Sequence, residues 1–266
     1  MRIGVKPGQY GWSFDELVAS WEVAETVGFD VLACFDHVSS APYGDRAWDA
    51  PTLLAAMAGR TRRIALGVYV VNASLRHPFL LAAELAVAQA ASGGRVEVGI
   101  GAGSHYFARY DHEALGIRFP GFDERIGRLE ACCRVLPALW RGEHVTDETS
   151  GLRDASLGTL GIAPPPILIG GKSERALAIA VQYGDGWHAP TMEPDEFAEL
   201  ARMLDRACEE SDRPALRKGI QLRADDPSRS KDQVQRFADA GASTVVFVLD
   251  AEVGADSVRR LADGVL

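Results

Sequence analysis

Four of the six histidines lie at or after the ends of segments that are predicted to be buried strands. His37, His77 and His105 follow the second, third and fourth predicted strands, and His188 lies near the end of the sixth. Histidine titrates near neutral pH and is the side chain most often used as a general acid or base. Because the carboxyl ends of parallel barrel strands meet at one rim, this spacing predicts a functional cluster of histidines there.

Asp36 and His37 stand together at the end of the second predicted strand and are the leading catalytic candidates. The alternative is that Asp36 accepts hydrogen bonds from the local backbone and His37 packs on Trp48. A metal site is disfavoured because the histidines lack His-x-His or His-x-x-x-His spacing. A serine hydrolase is disfavoured because the chain has no Gly-x-Ser-x-Gly motif.

A glycine-rich loop follows the fourth predicted strand. The β-branched residues between Val96 and Ile100 are typical of a strand, and Gly99, Gly101 and Gly103 remove side chains from one short stretch of backbone. Such glycines permit a positive φ angle or close approach of the backbone to a ligand. The dinucleotide-binding fingerprint is disfavoured, because its third glycine would fall at Ser104 and no clean helical pattern follows. A barrel strand that opens onto a ligand is favoured, and a tight turn without a ligand stays open.

A second glycine loop, Gly170-Gly171-Lys172-Ser173, lies between a predicted strand and a predicted helix. Backbone N–H groups at a helix N-terminus attract anions, and Lys172 adds a positive charge. The loop is therefore a candidate anion site, and the alternative is an ordinary loop with a solvated lysine.

Four aromatic residues lie mostly near strand ends, where they could wall a flat ring. They are Trp12, Tyr69, Tyr106 and Trp187. Core packing explains each of them, taken singly, about as well.

The order of these segments predicts an α/β fold, a (β/α)8 TIM barrel. Eight predicted strands alternate with about eight helices, and strict alternation indicates right-handed βαβ units with parallel strands. We predict one domain over residues 1–266, with a polar insertion at 142–166, and no clean helical pattern at 104–112. The predicted strands are residues 3–6, 29–35, 64–71, 96–100, 166–169, 185–190, 219–223 and 244–249.

Composition is ordinary for a soluble globular protein, with 47% apolar and 24% charged residues. The net charge of −9 argues against a nucleic-acid or anionic-membrane partner. The four cysteines form no Cys-x-x-Cys pair and are expected to be reduced packing residues of a cytoplasmic protein. The segment 1–7 has no signal-peptide pattern, and the longest apolar helix, 80–91, is too short to span a bilayer.

The chain resembles the bacterial luciferase-like flavin and deazaflavin oxidoreductases over residues 3–190. Each motif is loose, but their order and spacing together are specific. The motifs are Ala24-Glu25-x-x-Gly28-Phe29-Asp30, Phe35-Asp36-His37, Thr61 to Gly67, Arg76-His77-Pro78, Ser92 to Gly103, Ala114-Leu115-Gly116-Ile117, Leu139-Trp140-Arg141-Gly142, Ile169-Gly170-Gly171 and Ala180 to Trp187.

The resemblance implies a TIM barrel that holds FMN or coenzyme F420 at the carboxyl rim of its strands. It implies that Asp36 and His37 lie near the redox centre, and that a non-prolyl cis peptide near Tyr69-Val70 lies against the cofactor ring. The cofactor-binding residues are then expected to be Tyr69, Val70, Gly101, Ala102, Gly103, Ser104, Ile169, Gly170, Gly171 and Lys172. The expected substrate-pocket residues are Trp12, His105, Tyr106, Trp187 and His188. No metal ligands are expected.

The resemblance is closer to the branch that uses F420, although several relatives in that branch carry Glu where this chain has Ser104. It implies hydride transfer between the deazaflavin and a small organic substrate, with His37 as proton donor or acceptor. The first alternative is an FMN-dependent monooxygenase that uses O2 and reduced flavin from a partner reductase. The second is a barrel that binds flavin or deazaflavin without turnover. A homodimer is also an expectation of the family.

Overall fold

A closed barrel of eight parallel strands forms the centre of the protein. We describe the chain from a computed structural model for residues 1–40, 47–103, 106–224, 227–249 and 254–266. The barrel strands are β1 (Arg2–Pro7), β2 (Val31–Cys34), β3 (Ala65–Asn72), β4 (Val96–Gly101), β7 (Ile167–Gly170), β8 (Gly186–Ala189), β9 (Arg217–Arg223) and β10 (Thr244–Leu249). Strand β1 pairs with both β2 and β10, which closes the barrel. The predicted (β/α)8 fold is therefore confirmed.

Helices surround the barrel and cover the outer faces of the strands. The helices of the described residues are α1 (Phe14–Val27), α2 (Ala50–Arg60), α3 (Pro78–Ser92), α4 (Phe107–Ala114), α5 (Phe122–Trp140), α6 (Glu174–Tyr183), α7 (Pro194–Glu210), α8 (Pro227–Asp239) and α9 (Ala255–Val265). In that part of the chain, no helix is both long and apolar enough to cross a membrane. All four cysteines are buried and unpaired, as predicted.

Several helices begin at residues that satisfy their first backbone N–H groups. Ser13 and Glu16 form a capping box at the start of α1, in which each side chain accepts a hydrogen bond from the other's backbone N–H. Asp49 caps α2, and Ser173 caps α6 directly after the second glycine loop. These capping residues determine where α1, α2 and α6 begin after the preceding strands end.

The amino-terminal end of the barrel is closed by an ion cluster around the buried side chain of Glu97. Glu97 accepts hydrogen bonds from Arg2 at 2.9 Å, from Arg217 at 2.8 Å and from the Tyr69 hydroxyl at 2.6 Å. Burial opposes ionisation of Glu97, but these three donors outweigh it and lower the pKa of its carboxyl group. This end of the barrel is therefore filled by side chains, which leaves the opposite rim for a ligand.

Two elements differ from the sequence-based prediction. The insertion at 142–166 contains a small antiparallel hairpin, β5 (Val145–Asp147) and β6 (Leu152–Ala155), which lies outside the barrel sheet. The segment after the first glycine loop contains helix α4, where we predicted no clean helical pattern. That prediction was wrong because a helix of two turns needs few core contacts to be held by its neighbours.

Candidate functional site

The first glycine loop meets β3 at a close contact around Val70. The Tyr69–Val70 peptide bond is cis, as the family resemblance implied. A Cβ atom on Gly101 or on Gly170 would lie 2.7 Å from the Val70 side chain. The glycines of β4 and β7 thus make room for the irregular end of β3. This packing is a structural reason for glycine there, in addition to any approach of the backbone to a ligand.

Asn72 ends β3 beside this contact and carries a polar atom without a partner. Its Oδ1 accepts a hydrogen bond from the Ser74 backbone N–H, while its Nδ2 is buried and unbonded within the described residues. Gly103, with φ +86°, approaches so closely that a Cβ atom would lie 2.6 Å from Asn72 Oδ1. Buried amide groups are normally hydrogen-bonded. The unpaired Nδ2 is therefore a candidate donor to a bound ligand, and sequence reasoning missed it.

Asp36 is held in a buried ion-pair network. Both of its carboxylate oxygens bind Arg76, at 2.5 and 2.9 Å, and one also accepts the Asn72 backbone N–H at 3.0 Å. Arg76 binds Asp49 as well, at 2.5 Å, which links the end of β2 to the start of α2. These contacts place Asp36 in a structural role and do not support the predicted catalytic pair with His37.

His37 has a different carboxylate partner, Asp111 of helix α4. Its Nδ1 lies 2.8 Å from Asp111 Oδ2, and the other carboxylate oxygen accepts the backbone N–H groups of Val38 and Ser39. The His37 side chain is 22% exposed, whereas that of Asp111 is 1% exposed. The pair thus presents a histidine at the surface of the rim on a buried carboxylate. Sequence reasoning missed Asp111 because the partners are 74 residues apart.

Beneath the rim, the barrel interior contains a polar layer. Lys6 donates to the Tyr69 carbonyl oxygen at 3.1 Å and to Gln221 Oε1 at 2.7 Å. His188 stacks on the Tyr69 ring with centroids 4.5 Å apart, and its buried Nε2 has no hydrogen-bond partner in the described residues. His188 therefore points into the barrel and stays a candidate for the floor of a pocket.

The two tryptophans that were predicted to line the pocket lie in the core instead. Trp12 is fully buried near the start of α1. Trp187 is also fully buried, stacks on Phe197 of α7 and donates its indole N–H to Gly171 O at 2.6 Å. For Trp187 the pocket prediction was wrong because alternate strand residues point away from the barrel interior. Trp12 precedes α1 and lies in no strand, and its side chain packs in the hydrophobic core. Trp187 instead fixes the second glycine loop.

The second glycine loop runs into α6 with its first N–H groups at the rim. Gly171 has φ +123°, a conformation that favours glycine. Lys172 is exposed and binds Glu196 at 2.8 Å. Its charge is therefore partly neutralised, so the backbone N–H groups are the stronger anion donors of this loop.

The remaining candidates make other contacts or lie outside the described residues. Tyr106 is exposed beside α4, with its ring against Tyr110. His77 caps α3 and its Nε2 lies 3.1 Å from Ser150 O. Ser104 and His105 lie outside the described residues. No group of three potential metal ligands occurs within the described ranges.

The barrel, its glycine-lined rim and the ordered motifs define a class of protein. Over residues 1–243 the sequence matches the family described as luciferase-like monooxygenase. The chain belongs to this family, as its motifs predicted.

Named relatives and solved structures extend this result. The chain is 30% identical to an F420-dependent glucose-6-phosphate dehydrogenase of Beutenbergia cavernae, over 70% of this chain and 56% of the relative. An F420-dependent secondary alcohol dehydrogenase, solved with an F420–acetone adduct, aligns with TM-score 0.84 over 100% of this chain and 98% of that chain, at 15% identity. The monooxygenase RslO1 of Streptomyces bottropensis aligns with TM-score 0.70 over 99% and 96%, at 21% identity. The two structural matches show the shared fold. The chain spans little more than half the length of the glucose-6-phosphate dehydrogenase.

Proposed function

We propose that this protein is an F420-dependent oxidoreductase that transfers hydride between the deazaflavin and a small organic substrate. The observation that carries the proposal is the 30% identity to a named F420-dependent dehydrogenase over 70% of the chain. Family membership alone does not choose between hydride transfer and oxygen chemistry. The named relative favours hydride transfer.

The rim residues fit such a cofactor. The buried Asn72 Nδ2 without a partner offers a donor, and Gly103 beside it leaves no side chain in the way. The glycine loop before α6 offers backbone N–H groups that suit the cofactor's phosphate. The residues expected to hold the cofactor are thus Asn72 with the predicted set Tyr69, Val70, Gly101, Ala102, Gly103, Ser104, Ile169, Gly170, Gly171 and Lys172.

In this proposal the protein positions the reactants and moves one proton. When bound, the deazaflavin supplies or accepts the hydride, which is the difficult part of the chemistry. His37 takes the hydroxyl proton from an alcohol substrate or, in the reverse direction, donates a proton to the oxygen of a carbonyl substrate. His188 and Tyr106 stay candidates for the walls of the substrate pocket, together with His105.

Two alternatives make different predictions. The first alternative is an FMN-dependent monooxygenase, because the fold is similar to that of the monooxygenase RslO1. Such an enzyme would need O2 and a partner reductase that supplies reduced flavin. A barrel that binds flavin or deazaflavin without turnover is the second alternative. Consumption of O2 identifies the first, and cofactor binding without redox chemistry identifies the second.

We also propose a cytoplasmic homodimer whose partners are small molecules rather than nucleic acid or membrane. Helix α3 supports the dimer, because its outward face carries the apolar side chains of Leu80 and Val87. Apolar side chains that are exposed together on one face of a helix are often covered in a protein interface.

The proposed activity is tested by anaerobic turnover with F420. Absorbance of oxidised F420 is followed with a panel of alcohols, and that of reduced F420 with aldehydes and enones. We expect turnover in one of these panels, and a His37→Ala variant that is slower by about 10²–10⁴-fold. A matched control is His144→Ala, which removes an exposed histidine of the β5–β6 insertion. Unchanged turnover in His37→Ala would remove His37 from the proton-transfer role.

A further inference from the structure

We infer that Asp111 is a positioning residue that holds His37 in the tautomer with the proton on Nδ1, so that Nε2 carries the lone pair. The catalytic meaning of this arrangement rests on the proposed function. The arrangement itself follows from the contacts of helix α4 with the loop after β2, and it can be measured without any cofactor.

The carboxylate of Asp111 is fixed by three donors from one loop. Oδ1 accepts the backbone N–H of Val38 at 2.9 Å and of Ser39 at 2.8 Å, which leaves Oδ2 directed at His37 Nδ1 at 2.8 Å. Because the side chain is almost fully buried, water does not compete for these bonds. The carboxylate therefore sets both the direction of the imidazole and the path of the loop.

These contacts also decide the charge of Asp111. Burial opposes ionisation, but the hydrogen bonds from His37, Ser39 and Val38 outweigh it and lower the pKa of the Asp111 carboxyl group. An ionised carboxylate can only accept hydrogen bonds. His37 Nδ1 must then be the donor, and in the neutral ring the remaining nitrogen, Nε2, is unprotonated.

Ring packing holds the imidazole in the same orientation. The ring of Tyr10 lies 6.4 Å from it, centroid to centroid, at an interplanar angle of 28°, and that of Phe35 lies 5.7 Å away. A histidine held by a buried carboxylate and by two aromatic rings loses little further freedom when substrate binds. This suits a base that must meet one substrate hydroxyl in a defined geometry.

Two other histidines of the chain provide internal references. His77 Nδ1 accepts the Phe79 backbone N–H at 3.3 Å and its Nε2 faces the Ser150 carbonyl, so it takes the opposite tautomer, with the proton on Nε2. His144 Nδ1 lies 2.9 Å from Asp154 Oδ1, but both side chains are exposed. Asp154→Asn is therefore the matched control for Asp111→Asn, since it makes the same change beside an exposed histidine.

The test is ¹⁵N NMR of the histidine rings in the full chain without cofactor. We compare the parent protein, Asp111→Asn and Asp154→Asn near pH 8, and assign the His37 signals by their loss in His37→Asn. In the parent, Nδ1 of His37 is expected to show the shift of a protonated nitrogen and Nε2 that of an unprotonated one. His77 is expected to show the reverse.

In Asp111→Asn, the new amide oxygen still accepts the Val38 and Ser39 N–H groups, while its NH2 donates to His37 Nδ1. The His37 proton should therefore move to Nε2, whereas Asp154→Asn leaves His37 unchanged. If F420 turnover is found, Asp111→Asn should lower it by about 10²–10⁴-fold with little change in F420 affinity, because the base is then in the wrong tautomer.

Three results would overturn the inference. They are a parent protein in which neutral His37 carries its proton on Nε2, an unchanged His37 tautomer in Asp111→Asn, or the same change of the His37 tautomer in Asp154→Asn. The parent spectrum alone tests the proposal even if Asp111→Asn does not fold. A protein that binds no F420 but shows the expected tautomers contradicts the proposed function and leaves this inference standing.

Discussion

The polar side chains of Lys6 and His188 lie in the barrel interior directly below the rim. Burial, followed by the positive charge of Lys6, lowers the pKa of His188 to about 3. His188 is therefore neutral in the folded protein over the physiological range. Its unpartnered Nε2 is a hydrogen-bonding group that a ligand or an ordered water molecule can satisfy.

The low pKa of His188 makes stability depend on pH. In the unfolded chain a histidine takes up a proton below about pH 6.5, but the folded state does so only near pH 3. Stability should therefore fall on acidification across this window, by about 1.4 kcal/mol per pH unit from this one group. The free energy of unfolding is measured by urea titration at several pH values between 7 and 4.5. In His188→Gln, its dependence on pH should be shallower than in the parent, because about one proton fewer is taken up on unfolding. His144→Gln is the exposed control, and equal slopes in His188→Gln and the parent would contradict the assignment.

Single residues were the hardest part of the site to predict. The sequence singled out His37 because it follows a predicted barrel strand, but it could not identify the carboxylate that binds His37. Asp111 lies 74 residues away, in an eight-residue helix that the sequence did not predict. Asp36 was misjudged because adjacency in sequence says nothing about which direction two consecutive side chains take. The unpaired amide of Asn72 has no sequence signature at all.

At the scale of elements, most of the fold could be predicted from periodicity and capping. The eight barrel strands, and helices such as α2 and α6, follow from apolar runs bounded by Asp49, Ser173 or glycine. Helix α4 and the β5–β6 hairpin could not be predicted from the sequence, because both are short. Their formation depends on neighbouring elements rather than on their own pattern.

The exposed apolar residues of helix α3 predict where the proposed homodimer forms its interface. Leu80 and Val87 are 62% and 60% exposed on its outer face, seven residues apart, so they lie on one side of the helix. If this face forms the proposed dimer interface, light scattering should give twice the 28.6 kDa mass of one chain. The double change Leu80→Glu and Val87→Glu should give the monomer mass, because it buries charges in the interface. A charged change at exposed Met203 of α7 is the control, and a dimer that survives the α3 changes would contradict this interface.

For the whole molecule, the barrel explains why one end is structural and the other functional. The Glu97 cluster closes the amino-terminal end, while two glycine loops, the Asn72 amide and the His37–Asp111 pair meet the carboxyl rim. The family and the fold could be inferred from the sequence because many weak motifs occur in the right order. Substrate identity could not, since it depends on side chains at the rim that differ among members of one fold.

The most direct test of the account is a parallel titration of the purified protein with F420 and with FMN, followed by fluorescence. We predict that F420 binds at least tenfold more tightly than FMN, a difference of about 1.4 kcal/mol. An Asn72→Ala variant should weaken F420 binding, because it removes the unpaired buried donor at the rim. Tight FMN binding with weak F420 binding would contradict the account and favour oxygen chemistry. If neither cofactor binds, the glycine loops have only their structural roles and the proposed function is wrong.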